Sequence, residues 1–251
     1  GVHSLALKTG AYDTLPKVHR YPHARGIHVS GPIPDVYFPS LYFRDPDGQV
    51  HEIATAGPGY AVDEPMNELG TTLKIPNLSQ LPDGRDAALI DATTYPDPVP
   101  AITVEMSLSG IHHITGMTDD INKASDFYHE ALGLSLIKQS INQDDPGTAH
   151  WCWANYDGTR VLPHSSWTLF GWTPAHPKAR EGVGQTHHVA FRTKNREEQL
   201  TWQEHLRSMG LDVSDVMDRK FFTSIYFRAP DGQLLEIATD GHRTRDLPLA
   251  A

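Results

Sequence analysis

Apolar and polar residues alternate along three separated stretches, Val2–Thr9, Ile111–Thr115 and Thr186–Thr193, and each predicts a β-strand with one buried face. Behind two of them the period lengthens to that of a helix. Asp120–Leu132 places Phe127, Tyr128 and Leu132 on one face, with Asp119 or Asp120 as its cap and Gly133 as its stop. Arg196–Met209 does the same with Leu200, Trp202 and Leu206, ending at Gly210. Strand patterns follow at Leu134–Ile141, His150–Tyr156 and Ser166–Phe170, separated by the turn signals Asp145-Pro-Gly and Asp157-Gly. Phe222–Thr239 lines up without a gap on Phe38–Thr55, and each copy reads as strand, Pro-Asp-Gly turn, returning strand.

The chain is therefore built from a repeated unit of one strand, one helix and two or three antiparallel strands. Module A covers 1 to about 62 with a tail, module B 110–172 and module C 184–241. A segment rich in Pro, Asp and Gly, Asn77–Pro100, reads as a linker.

Composition narrows the class. The 251 residues suffice for a buried core, and no run approaches the roughly 20 apolar residues of a membrane helix. No signal-peptide pattern is visible. The single cysteine, Cys152, excludes an intrachain disulfide framework and a cysteine-rich zinc site, and fits a reducing cytoplasm. A formal charge of −10 opposes nonspecific nucleic-acid binding. Most of the fifteen histidines are scattered, and four are not. His112–His113 opens module B, His187–His188 opens module C, and Glu236 stands on the closing strand of module C. Neighbours on a strand face opposite ways, so one histidine of each pair faces inward. Two imidazoles and one carboxylate can hold one side of a divalent ion and leave the rest to substrate, which points to metal-dependent oxygen chemistry.

These modules resemble the βαβββ modules of the vicinal oxygen chelate superfamily, which includes glyoxalase I, bleomycin-resistance proteins and extradiol dioxygenases. The nearer likeness is to hydroquinone-cleaving dioxygenases of the PcpA- and MhqO-like group. It rests on Ile111-His-His-Ile-Thr, Ile141-Asn-Gln-Asp-Asp-Pro and Leu169-Phe-Gly-Trp in module B. In module C it rests on His187-His-Val-Ala-Phe, Asp218-Arg and Ser224-Ile-Tyr-Phe-Arg. The resemblance implies an α+β fold whose modules pair into a cupped mixed sheet around a metal. It implies a degenerate module at 1–62, with tail and linker to 108, and a metal-binding pair at 109–251. The implied ligands are His113, His188 and Glu236, holding Fe(II), with Mn(II) as an acceptable substitute. It assigns Tyr226 to the metal-bound phenolate and Arg219 to anionic oxygen species or to that tyrosine. His112 becomes an acid–base group near the distal hydroxyl, supported by Thr115. The implied reaction opens a hydroquinone or catechol-like ring with O2; a cytoplasmic homo-oligomer, a dimer, is the accompanying expectation.

Two rivals stand beside this reading: a glyoxalase-like isomerase with four protein ligands, and a protein that sequesters an aromatic ligand. The ring-lining candidates Trp151, Trp153, Phe170, Phe221 and Phe222 read more readily as core. Module A keeps Tyr42 and Glu52 but carries Ser4 opposite His188 and Asp35 opposite Arg219. It reads as a module that kept its fold and lost its site, with His3 on the face away from it, packing against the catalytic pair or a second copy.

Overall fold

A computed structural model describes residues 1–10, 12–81, 86–172 and 180–241. They fall into two compact units, 1–185 and 186–251. The fold is mixed α+β.

In the first unit module A contributes β1 (Val2–Lys8), α1 (Leu15–His23), β2 (Val29–Ile33), β3 (Ser40–Arg44) and β4 (Val50–Ala54). The helix α2 (Ala87–Ala92) lies within the expected linker, capped by the Asp86 carboxylate on Leu89 N–H at 3.0 Å. Residues 82–85 of that linker lie outside the described residues. Module B follows with β5 (Ile111–Thr118), α3 (Ile121–Leu132), β6 (Ser135–Ile141), β7 (Ala149–Ala154) and β8 (Ser166–Gly171). Asp120 caps α3 by accepting from Lys123 N–H at 3.0 Å, and Gly133 ends it in the left-handed conformation at φ 64°.

All eight strands form one sheet in the order β2-β3-β4-β1-β5-β8-β7-β6. Its seam is the antiparallel pair β1–β5, with Ser4 opposite Thr115 and Ala6 opposite His113. The sequence reading set module B beside module C as the metal-binding pair; here β5 takes β1 of module A on one side and β8 on the other. An open strand edge carries unpaired N–H and C=O groups, and β1 and β5 satisfy each other's. Apolar side chains of α1 and its sheet, Leu15, Val18, Val29, Leu41 and Ile53, form one core; Ile137, Cys152, Ala154, Tyr60 and Leu69 form another.

The second unit, module C, consists of β9 (Val189–Thr193), α4 (Arg196–Ser208), β10 (Met217–Asp218), β11 (Thr223–Arg228) and β12 (Leu234–Thr239), in the sheet order β10-β11-β12-β9. Its helix is turned from the expected face: Gln199, Gln203 and Leu206 are buried, whereas Leu200 is exposed. The cause is a polar anchor. The Gln199 amide donates to Thr223 O at 2.8 Å and Ile237 O at 2.7 Å and accepts from the Thr223 hydroxyl at 2.8 Å.

Candidate metal centre

Register builds the centre of the first unit. Ala6 pairs with Glu52 of β4 on one side and with His113 of β5 on the other. All three are buried. Because the middle residue of this row is only a methyl group, the two long side chains meet over it, and His113 Nε2 lies 3.3 Å from Glu52 Oε2. Burial acts to raise the Glu52 carboxyl, but the neighbouring His113 and the Ser40 hydroxyl outweigh it and hold it below the usual range. Tyr42, cross-strand partner of Glu52, is pushed well above the phenol range by burial and by that carboxylate.

The second unit repeats the motif. His188 Nε2 lies 2.8 Å from Oε2 of the buried Glu236. Oε1 of the same carboxylate accepts from the Tyr226 hydroxyl at 3.0 Å and from the Ser224 hydroxyl. The Arg219 guanidinium stands 5.1 Å from the centre of the Tyr226 ring. Arg219, Tyr226, Glu236 and His188 are thus gathered in one unit. His112, His113 and Thr115 belong to the other.

The paired histidines share a geometry that spacing alone does not show. His112 Nδ1 meets His113 Nδ1 at 2.8 Å, and His187 Nδ1 meets His188 Nδ1 at 2.9 Å. One nitrogen of each pair must donate and the other accept. The first histidine thereby ties back the inner ring and leaves its Nε2 facing the carboxylate, as metal-ligating imidazoles require. His112 is suited to this: burial, with the charge of His113 second, drives its pKa down to about 3. Thr115 does not support His112; its hydroxyl accepts from Thr168 at 2.9 Å, on the strand face that alternates with that of His112.

Metal bonds of about 2.1 Å meeting at right angles set donor atoms about 3 Å apart, so each His–Glu pair fits two positions on an Fe(II) or Mn(II) ion. Among the described residues no three His, Cys, Asp or Glu groups form such a cluster. Glu52, taken from the sequence as a remnant, is the carboxylate that His113 meets. The β1–β5 seam, which carries it there, is a pairing no local pattern announces.

A cavity of about 270 Å³ opens over His113 and Glu52, walled in part by Ser4, Phe38, Thr168, Phe170 and Trp172. His150, which also lines it, is held at about 3 by desolvation, its Nε2 3.3 Å from Thr168 Oγ1. His3, expected on the far face, borders it too, because the β1–β5 register shifts between Val2 and Ser4. Of the aromatic candidates only Phe170 lines this space; Trp153 is core and Phe221 is exposed. Sequence reading missed Lys138. Fully buried, it binds Asp63 at 2.8 Å and also Glu64, both from the tail of module A. A lysine between Leu136 and Ser140 on the inward period of β6 was the available signal.

Residues 110–237 match the profile of the Glyoxalase/Bleomycin resistance protein/Dioxygenase superfamily, and the chain belongs to that superfamily. Among curated relatives it is similar to "Putative ring-cleaving dioxygenase MhqE" of Bacillus subtilis (strain 168), at 26% identity over 267 residues, 54% of this chain and 88% of that one. It is also similar to "Putative ring-cleaving dioxygenase MhqO" of the same strain, at 44% identity over 142 residues, 55% of this chain and 40% of that one. A solved structure described as a putative dioxygenase from Bacillus subtilis subsp. subtilis str. 168 shares the fold with a TM-score of 0.61 at 22% identity, over 95% of this chain and 62% of that one. The chain thus spans less than two thirds of MhqO and of the solved protein.

Proposed function

We propose that this chain is a metal-dependent dioxygenase that opens the ring of a hydroquinone or catechol-like aromatic, using O2 as co-substrate. The observation that carries the reading is the twice-built pair of a tied-back imidazole and a buried carboxylate, at 3.3 Å and 2.8 Å, one of them beneath an aromatic-walled cavity. The names of the relatives support the same class. The proposed ligands are His113, His188 and Glu236, and Glu52 is the carboxylate that His113 faces within its own unit.

A bound Fe(II) or Mn(II) would supply open positions at which a phenolate oxygen and O2 are activated together. The protein's share is positioning. His112 and His187 fix the tautomer and direction of the inner imidazoles through their Nδ1 contacts. The Tyr226 and Ser224 hydroxyls hold Glu236 Oε1, so that Oε2 alone faces His188. Arg219 steadies the Tyr226 ring from its face. In the first unit Phe38, Phe170 and Trp172 offer flat apolar walls to a ring and shield it from water.

The test is oxygen uptake by the full chain loaded anaerobically with Fe(II) and offered a panel of hydroquinones and catechols. Uptake with formation of a ring-opened semialdehyde acid is expected. A loaded protein that consumes no oxygen with any phenol of the panel would end the proposal.

A further inference from the structure

Most polar atoms in the cavity wall of the first unit are matched. The Thr168 hydroxyl donates to Thr115, His150 Nε2 meets Thr168, and the Tyr37 hydroxyl donates to Asp63 at 3.0 Å. Gln143, between β6 and β7 and nine-tenths buried, is different. Its Nε2 donates to Asp35 Oδ2 at 2.6 Å. Asp35 is itself fixed, since its Oδ1 accepts from Tyr37 N–H at 2.6 Å and Phe38 N–H at 2.9 Å. A carboxylate only accepts, so the amide cannot turn over, and Gln143 Oε1 is held as an acceptor. That oxygen is buried and has no hydrogen-bond partner among the described residues. Buried acceptors are nearly always paired, and the exceptions call for a reason. His3 Nδ1 is likewise unpaired in this wall, but an imidazole nitrogen can donate or accept, so it fixes no ligand chemistry.

The rest of the wall names the partner. Phe170 and Trp172 lie nearly parallel, at an interplanar angle of 15°, and Phe38 stands in the same cavity. About 270 Å³ gives ample room for a single substituted ring, since a cavity of about 150 Å³ already holds benzene. We propose that Gln143 is a specificity-determining residue of this cavity, its Oε1 accepting a hydrogen bond from a ring hydroxyl of a small neutral aromatic ligand. This deepens the dioxygenase reading and rests on it for what happens to the ring, but the binding claim requires neither metal nor oxygen.

The full chain, stripped of metal and kept anaerobic, is titrated calorimetrically with hydroquinone and with 1,4-dimethoxybenzene, which has the same ring but no donor. Hydroquinone binds more tightly to the native protein, and Gln143→Leu weakens it about tenfold, the worth of one buried hydrogen bond, while sparing the dimethoxy compound. Asp35→Asn is the second variant and keeps both backbone contacts. Its amide can donate to Gln143 Oε1, turning the glutamine so that Nε2 faces the cavity and reversing the preference toward the acceptor-only ligand. Absence of hydroquinone binding to the native protein overturns the proposal. So does a ratio of the two affinities that neither variant moves. Binding that follows this pattern without oxygen uptake refutes ring cleavage and leaves Gln143 in place; uptake with the same KM for hydroquinone in native protein and Gln143→Leu does the reverse.

Discussion

Ala6 shows how much one methyl group decides. It stands between Glu52 and His113 in a row across three strands, and the 3.3 Å approach of those side chains exists because nothing larger rises between them. Ala6→Leu fills that space and is expected to lower retained Fe(II) at least tenfold, read by metal content after dialysis, with overpacking costing roughly 1–3 kcal/mol in urea melts. Cys152 offers an independent check on the core beside the cavity. It is buried, and burial drives its thiol up to about 12, so it is expected to stay unlabelled by a thiol-reactive dye at pH 8 until the protein unfolds. Rapid native labelling would show that this core opens. Single residues were read from the sequence with mixed success. Alternation implies only that one histidine of each pair faces inward; the choice of His113 and His188, and of Glu236 beside them, comes from the resemblance. The link between His112 and His113 comes from neither, because alternation alone sends neighbouring side chains apart and gives no sign that their Nδ1 atoms meet. Lys138 was passed over because a lysine on a strand ordinarily points to water.

At the scale of elements, strands and turns were the most legible, since alternation and Pro-Asp-Gly act within a few residues of each other. The β11–β12 and β3–β4 hairpins follow that pattern, with Tyr226 opposite Glu236 and Tyr42 opposite Glu52. The buried face of α4 was misread because an apolar count favours Leu200, whereas the amide of Gln199 satisfies two backbone carbonyls inside the unit. Gln199→Leu is therefore expected to destabilise the protein by about 2–3 kcal/mol despite its greater hydrophobicity, since two buried acceptors lose their donor. Equal stability in denaturant melts would refute that account. The tail of module A forms a strap whose role no periodicity reveals. Gln139 Nε2 donates to Gly70 O at 2.7 Å, and Lys74 N–H donates to Gln139 O at 2.9 Å. Gly70 has φ +74°, and a Cβ there would lie 2.2 Å from Leu136 O. Gly70→Ala should detach the strap from β6 at a cost of roughly 1–3 kcal/mol, visible as faster amide exchange at Lys74.

At the scale of the whole molecule the internal repeat marks modules but not their pairing, because pairing is settled by strand edges distant along the chain. β1 and β5 are joined in one sheet although about a hundred residues of chain separate them. That seam makes the loss of a ligand in module A testable by restoring it. Ser4 is buried, lines the cavity with His113 and Glu52, and occupies in β1 the place that His188 occupies in module C. Ser4→His would give the first unit two imidazoles and one carboxylate, the set that leaves an Fe(II) or Mn(II) ion open to substrate. In the native background His113→Ala, His188→Ala, Glu236→Gln and Glu52→Gln are each expected to lower bound Fe(II). Adding Ser4→His to His188→Ala should raise Fe(II) affinity at least tenfold over His188→Ala alone, measured by competition with a colorimetric chelator. Adding Glu52→Gln to that double variant should abolish the gain, because the new imidazole then has no carboxylate to complete its set. If Ser4→His brings no gain while circular dichroism shows the fold intact, Ser4 does not stand where a ligand belongs, and the cavity over His113 and Glu52 is not a metal cup.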